Sequence, residues 1–298
     1  MWLLLSLVLC MSLHAEPNVV TYVFWNGRFG ENILSVCFAK WLAHRYPLQF
    51  RYKPFHYSDE LVLHDEPWFE EPEAAREPIV IFRDSIVMSA LKDTGTLFIA
   101  DYFTHIFPDW SYEKLLLKDD PVFKAELKRV IKPKKACALL RIPPGAVSVA
   151  VHVRRGGNFD GVSSQDETIT NRCYEDYRFP LKFPGDDFYI EQIRYVAHHF
   201  KGQKLYVHIF TDDKNPQAIA DMYAQMLNNP DITFGYRAEG NADDVCVVED
   251  FFAMAQCECL IRPDSAFSKA TQLIADYKLL IYPRTVKFIV CDVARELQ

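Results

Sequence analysis

Val19 to Trp25 is an unbroken run of apolar, β-branched and aromatic side chains, the pattern of a strand buried on both faces. It stops at Asn26-Gly27-Arg28-Phe29-Gly30-Glu31-Asn32, and a helical period follows: Ile33, Leu34, Cys37, Phe38, Trp41 and Leu42 fall on one stripe. A glycine loop therefore sits between a buried strand and a helix N-terminus. Such a βα unit commits the chain to a layered α/β architecture, because a strand buried on both faces needs helices above and below it.

The pattern recurs. Apolar runs at Pro78–Phe82 and Thr96–Ala100 alternate with expected helices at Tyr112–Leu117 and Val122–Val130. Arg141-Ile142-Pro143-Pro144-Gly145 then breaks the rhythm and reads as a linker. Beyond it, Val147, Val149, Val151 and Val153 alternate with Ser148, Ala150, His152 and Arg154. His152 and Arg154 thus share one strand face, and Arg155 begins the exit loop. A helix at Phe188–Phe200, a strand at Leu205–Phe210 and a helix at Pro216–Leu227 follow. A helix around Asp250–Ala255, a strand at Cys259–Arg262, a helix at Phe267–Asp276 and a strand at Leu279–Tyr282 complete the series. The expectation is two α/β halves, residues 16–142 and 146–298, with a cleft between them.

Residues 1–15 contain no charged side chain and an apolar stretch from Trp2 to Leu13. That is too short for a bilayer-spanning helix, which takes about 20 residues, and it reads as a signal-like leader ending at Ala15. Beyond it seven cysteines remain, at 37, 137, 173, 246, 257, 259 and 291, most in apolar surroundings where a free thiol behaves as a small hydrophobe. No C-x-x-C pair and no cysteine–histidine group has zinc spacing. Across the 298 residues, 33 Lys plus Arg against 40 Asp plus Glu give a formal charge of −7, which argues against binding a nucleic-acid backbone.

Two segments carry residues suited to chemistry. His152-Val153-Arg154-Arg155-Gly156-Gly157 follows a strand end, where ligands bind in open α/β sheets. Two always-charged guanidiniums there suit phosphate oxygens, and the glycines allow close approach. The second segment, Asp264-Ser265-Ala266-Phe267-Ser268, follows a buried strand and opens a helix. Ser265 and Ser268 either cap that helix or, with its free amides, cradle a phosphate.

In three separated places, in order, the chain resembles the GDP-L-fucose-dependent fucosyltransferases, and is most similar to their alpha-1,2 branch. Gly27-Arg28-Phe29-Gly30-Glu31-Asn32 resembles the family's N-terminal glycine loop, and His152-Val153-Arg154-Arg155 its His-x-Arg-Arg signature. Asp250-Phe251-Phe252-Ala253-Met254-Ala255-Gln256-Cys257, followed by Ser265-Ala266-Phe267-Ser268, is similar to its Asp-Phe-x-x-Met-x-x-Cys and Ser-x-Phe-Ser elements. Phe210-Thr211-Asp212-Asp213 resembles its strand ending in Ser-Asp-Asp.

The resemblance implies two Rossmann-like domains facing a cleft, the GT-B type, and inverting transfer of L-fucose from GDP-fucose to a sugar hydroxyl of a glycan acceptor. It assigns Arg154 to the donor's β-phosphate with Arg155 in support. His152 goes to the nucleoside and Asp250 to guanine. Ser265, Phe267 and Ser268 are assigned to donor binding, and Gly27, Arg28 and Gly30 to the cleft wall on the other domain. Asp160 and Asp212, with Asp213 beside it, are the candidate bases. No cofactor or metal is expected: the acid pairs at 186–187, 212–213 and 243–244 read as surface or capping carboxylates, and arginines stand where other transferases use a cation. The expected partners are GDP-fucose and a glycan, with the leader implying either the secretory pathway or attachment at a membrane. Gly157 stands where the family has Asp, which keeps open a non-catalytic nucleotide-sugar or glycan-binding protein of the same fold.

Overall fold

The computed structural model describes residues 16–23, 28–70, 73, 76–81, 91, 94–100, 120–136, 140–155, 179–238, 246–287 and 290–297. The leader, Gly27, the expected helix at Tyr112–Leu117, Gly157, Asp160 and the 243–244 pair lie outside these residues. Two compact units are present, one from Met1–Phe24, Ser35–Lys53 and Glu66–Pro108, the other from Trp25–Leu34, Pro54–Asp65 and Asp109–Gln298.

The first unit holds a four-stranded sheet. Its strands are β1 (Val19–Tyr22), β2 (Gln49–Phe50), β3 (Pro78–Ile81) and β4 (Leu97–Ala100). They run parallel in the order β2-β1-β4-β3. All four residues of β1 are buried, as its unalternating sequence requires. Helix α1 (Phe29–Arg45) follows the first strand and provides the expected βα unit. Within this unit Lys40 is buried, pairs with Glu66 at 2.8 Å and lies over the Phe50 ring.

The second unit carries α2 (Pro121–Val130), β5 (Val147–Val153), α3 (Phe179–Lys182), α4 (Asp186–His199), β6 (Leu205–Thr211), α5 (Pro216–Leu227) and β7 (Ile232–Tyr236). Next come α6 (Val247–Gln256), β8 (Cys259–Ile261), α7 (Ala266–Ile274), β9 (Leu279–Lys287) and β10 (Val290–Leu297). The sheet order is β10-β9-β8-β5-β6-β7, parallel except for the antiparallel β9–β10 pair. The chain starts at central β5, winds outward through β6 and β7, then returns to the other side of β5 as β8. Strand order therefore reverses between β5 and β8, the switch point where such sheets open a crevice at their carboxyl ends.

Alternation along β5 separates two cores. Val147, Val149, Val151 and Val153 pack with Leu205, Val207 and Ile209 against α4 and α5. On the opposite face Ala150, Phe210, Leu260 and Leu280 pack against Ala253, Met254 and Cys257. His152 and Arg154 extend that second face toward α6 and α7, as the sequence alternation requires.

The division of the chain differs from the expected boundary at 142/146. The segments Trp25–Leu34, Pro54–Asp65 and Asp109–Pro144 group with the later residues. Packing explains this: Phe29 lies 5.2 Å from Phe251 and 6.1 Å from Phe55 between ring centroids, and the Leu61–Pro133 bridge joins the Pro54–Asp65 segment to the end of α2. Lys124 and Lys128 of α2 both pair with Asp276. The Pro143-Pro144 segment is a turn leading into β5, with Gly145 at φ +76°.

Three strands were not anticipated: the two-residue β2, β7 and β10. β7 contains Gly235, which weakens a strand pattern. The glycine leaves room for a neighbouring ring: a Cβ there would lie 2.1 Å from the Tyr206 hydroxyl and 2.7 Å from its Cζ, so that side chain would have to shift. β10 is paired antiparallel to β9 and breaks the otherwise parallel arrangement. The cysteines at 37, 246, 257 and 259 are free thiols. Burial raises Cys257 and Cys259 to about 12, so both stay protonated and act as the small hydrophobes their contexts suggested.

Candidate functional site

At the carboxyl end of β5, His152 is half-buried and its Nδ1 lies 2.9 Å from the Ser268 Oγ. The Phe267 ring stands 5.9 Å away by centroid. Burial, followed by the positive charges of Arg154, Arg262 and Arg28, lowers the His152 pKa to about 3. The imidazole is therefore neutral throughout the physiological range, and its surroundings form a field that favours an anion.

Arg154 Nη1 lies 3.4 Å from the Ser265 Oγ, and its guanidinium is 5.6 Å from the Phe183 ring centre. Ser265 occupies the N-cap position of α7, but its hydroxyl makes no cap bond to the helix amides. Of the two roles left open for this serine, the described geometry therefore gives it contact with Arg154. Ser268 is fully buried, and Ser265 is 2% exposed. Their hydroxyls hold the arginine and the histidine from behind while the α7 N-terminus points its first amides into the same region.

Arg28 and Gly30 sit beside these residues in the same unit rather than across from them. A Cβ on Gly30 would lie 2.5 Å from both the Cα and the N of Phe267, so the start of α1 meets the start of α7 backbone against backbone. The role of this glycine is close approach of two chains.

Asp250, in the first turn of α6, accepts from Arg237 Nη2 at 2.6 Å and Nε at 3.1 Å, both at Oδ1. Arg237 also reaches Glu249 at 3.2 Å. Burial raises the Asp250 pKa and the Arg237 guanidinium opposes that rise. His208, beneath them on β6, is lowered to about 4 by burial and then by Arg237, and bonds the Tyr206 hydroxyl at 3.0 Å.

Arg155 does not join Arg154. Its guanidinium pairs with Asp186 at the start of α4, on the other face of the sheet. Its backbone N–H donates to Asp212 Oδ1 at 2.6 Å, which makes this carboxylate a tether for the loop root. The sequence patterns brought forward His152, Arg154, Asp250, Ser265, Phe267, Ser268, Arg28 and Gly30; the fold brings His152 to Ser268 and Phe267, Arg154 to Ser265 and Gly30 to Phe267, while Asp250 pairs with Arg237. Arg262, Arg237 and Asp186 were missed as site residues. Arg262 is 1% exposed, bonded to Gln272 at 3.0 Å and placed 4.4 Å over the Tyr282 ring. Its signal was a lone arginine directly after a buried apolar strand, a poor position for a charge without a purpose.

These features define a class first: a doubly wound, mainly parallel α/β unit in which His152, Arg154, Ser265 and Ser268 meet at the topological switch point, where such sheets bind ligands. No family model matches the chain, and no curated protein matches it. Among solved structures it is similar to a GDP complex of a mutant Arabidopsis thaliana FUT1, with 13% identity over 90% of this chain and 71% of that one, at a TM-score of 0.54. It is also similar to fucosyltransferase NodZ from Bradyrhizobium, with 14% identity over 94% and 98% of the two chains and a TM-score of 0.47. A complex of POFUT1 with GDP-fucose has 13% identity over 88% and 95%, at a TM-score of 0.46. The FUT1 likeness places the chain in the same mixed α/β, parallel-sheet fold, the GT-B type expected from the sequence.

Proposed function

We propose that the protein is a glycosyltransferase that moves L-fucose from GDP-fucose to a hydroxyl of a glycan with inversion, an alpha-1,2 linkage being the finer reading. One observation carries this: at the carboxyl end of β5, Arg154 Nη1 lies 3.4 Å from Ser265 Oγ and His152 Nδ1 2.9 Å from Ser268 Oγ at the N-terminus of α7, with Arg28 and Arg262 adding positive charge near His152. A diphosphate leaving group needs such a field. As the acceptor hydroxyl oxygen bonds to the sugar's anomeric carbon and gives up its proton to a carboxylate base, the bond from that carbon to the β-phosphate oxygen breaks and negative charge grows on GDP. Fixed cations and helix amides stabilise that charge without reorganising, and each such group contributes about 10²–10³ in rate where it has been removed from an enzyme. Arg154 is the group at the β-phosphate, and the guanidiniums supply the charge that a divalent cation supplies elsewhere. His152 meets the nucleoside. Asp250, held by Arg237 in the first turn of α6, accepts from the N–H edge of guanine. The shared fold with GDP-bound FUT1 supports the nucleotide assignment.

The test is a melting-temperature panel with GDP, UDP, ADP and CMP, followed by radiolabelled GDP-fucose on an acceptor array. A nucleotide at a hundredfold excess over its Kd stabilises the fold by about 2.7 kcal/mol, a rise of several degrees. GDP alone is expected to give that rise, with label transferred to a galactoside. A preference for UDP overturns the reading, and tight GDP binding with neither transfer nor hydrolysis establishes the non-catalytic binding protein instead.

A further inference from the structure

The two adjacent arginines leave β5 in opposite directions. Arg154 lies with Ser265 and Phe183. Arg155 lies with Asp186, Tyr223 and Tyr189. Its guanidinium pairs with Asp186 Oδ1, and the Tyr223 hydroxyl donates to that same oxygen at 2.6 Å. Tyr223 is fully buried and stacks on Tyr189, with ring centroids 6.4 Å apart and planes 25° from parallel. The Arg155 amide is held separately by Asp212 at the end of β6. Two carboxylates from two different elements therefore fix one residue, by its side chain and by its backbone. Asp186 is itself well placed in the first turn of α4, where the helix dipole favours a negative charge. Burial alone lowers the pKa of Arg155, and the Asp186 carboxylate more than reverses it, so the guanidinium stays charged beside its partner.

Resting on the GDP reading above, we propose that Arg155 is a positioning residue rather than a second phosphate ligand, and that Asp186, Tyr223 and Asp212 are the clamp through which it aims Arg154. Successive side chains leaving a strand point to opposite faces. Anchoring Arg155 toward α4 and α5 therefore obliges Arg154 to face α7. A loop root free to rotate would spread the Arg154 guanidinium over several orientations and lower its affinity for an anion.

A double-mutant cycle on the full chain tests this, with GDP dissociation constants read by calorimetry. Removing a charge-assisted contact outright in Arg154→Ala is expected to weaken GDP about 100-fold, and Arg155→Ala about 10-fold. The double variant is expected to match Arg154→Ala within about twofold, because Arg155 has nothing left to aim. Tyr223→Phe keeps the stack and is expected to lose about threefold. A further variant separates positioning from mere support: Arg155→Met with Asp186→Leu replaces the ion pair by apolar groups. Its melting temperature is expected to return to the native value while GDP affinity stays about 10-fold weak. Losses that multiply to about 1,000-fold in the Arg154/Arg155 double variant overturn the inference and leave the GDP reading intact. Recovery of affinity in the Met/Leu variant does the same. Failure of the native chain to bind GDP overturns both.

Discussion

The two faces of β5 end in the same residue type and use it in opposite ways. On the α7 face, Arg154 lies with Arg28 and Arg262 around His152, and the three cations disfavour a proton on that ring. On the α4–α5 face, Arg155 meets a carboxylate, a buried tyrosine hydroxyl and a second carboxylate at its amide. One face brings three cations to bear on a single neutral imidazole. The other is a closed ion pair that needs nothing further. The difference shows that adjacent arginines of one strand end can have opposite electrostatic surroundings, set by the company each guanidinium keeps.

The sharpest way to break this comparison is Arg154→Ala. It is expected to abolish transfer and weaken GDP about 100-fold by calorimetry, since the residue serves the anion rather than the fold. The melting temperature is expected to stay close to native, because losing the contact with Ser265 is offset by relief of repulsion around His152. A large drop in melting temperature with retained binding would place Arg154 in the structural class with Arg155.

Gly30→Ala tests the backbone seat of the α7 face. With a Cβ 2.5 Å from Phe267 Cα and N and 2.7 Å from Ala266 C, no side-chain rotation relieves the clash. The expected cost is about 1–3 kcal/mol in urea unfolding, with weaker GDP binding as the two helix starts move apart. An unchanged midpoint would show that the close approach is not needed.

A further effect concerns pH. His152 takes up its proton near pH 3 when folded, against about 6.5 in an unfolded chain. Its contribution to stability is therefore complete above about pH 6.5 and is lost as pH falls toward 3, because the unfolded state then binds the extra proton. His208, lowered to about 4, adds a slope of the same sign. His152→Gln is expected to flatten the fall in melting temperature between about pH 6.5 and 4, leaving the His208 part. Saturating GDP is expected to flatten it in the native protein too, since a bound diphosphate raises the His152 pKa. An identical slope in native and variant protein would remove His152 from the field.

Much of this was legible along the chain. The valine alternation of β5 placed His152 and Arg154 on one face, and the helices expected at Val122–Val130 and Pro216–Leu227 are α2 and α5, whose N-caps Asp120 and Asn215 accept from Phe123 and Ala218. β7 was hidden by Gly235, whose reason is the Tyr206 ring on a neighbouring strand. Asp186 read as a capping carboxylate, because its partners Arg155 and Tyr223 are 31 and 37 residues away in sequence. The boundary at 142/146 missed the return of Arg28 and Gly30 to the second unit, since aromatic packing of Phe29 on Phe251 leaves no local mark.

The amino-acid sequence by itself determined the parallel α/β class, the strand that presents His152 and Arg154, and the helix start at Ser265. These follow from periodicity and local conformational preference, which act over a few residues. Only the tertiary structure decided which arginine faces the crevice, that Arg262 and Arg28 join it, and that Asp212 tethers a loop. Those outcomes depend on which distant groups meet, and Coulomb energy, burial and steric exclusion are set by distances that no stretch of sequence contains.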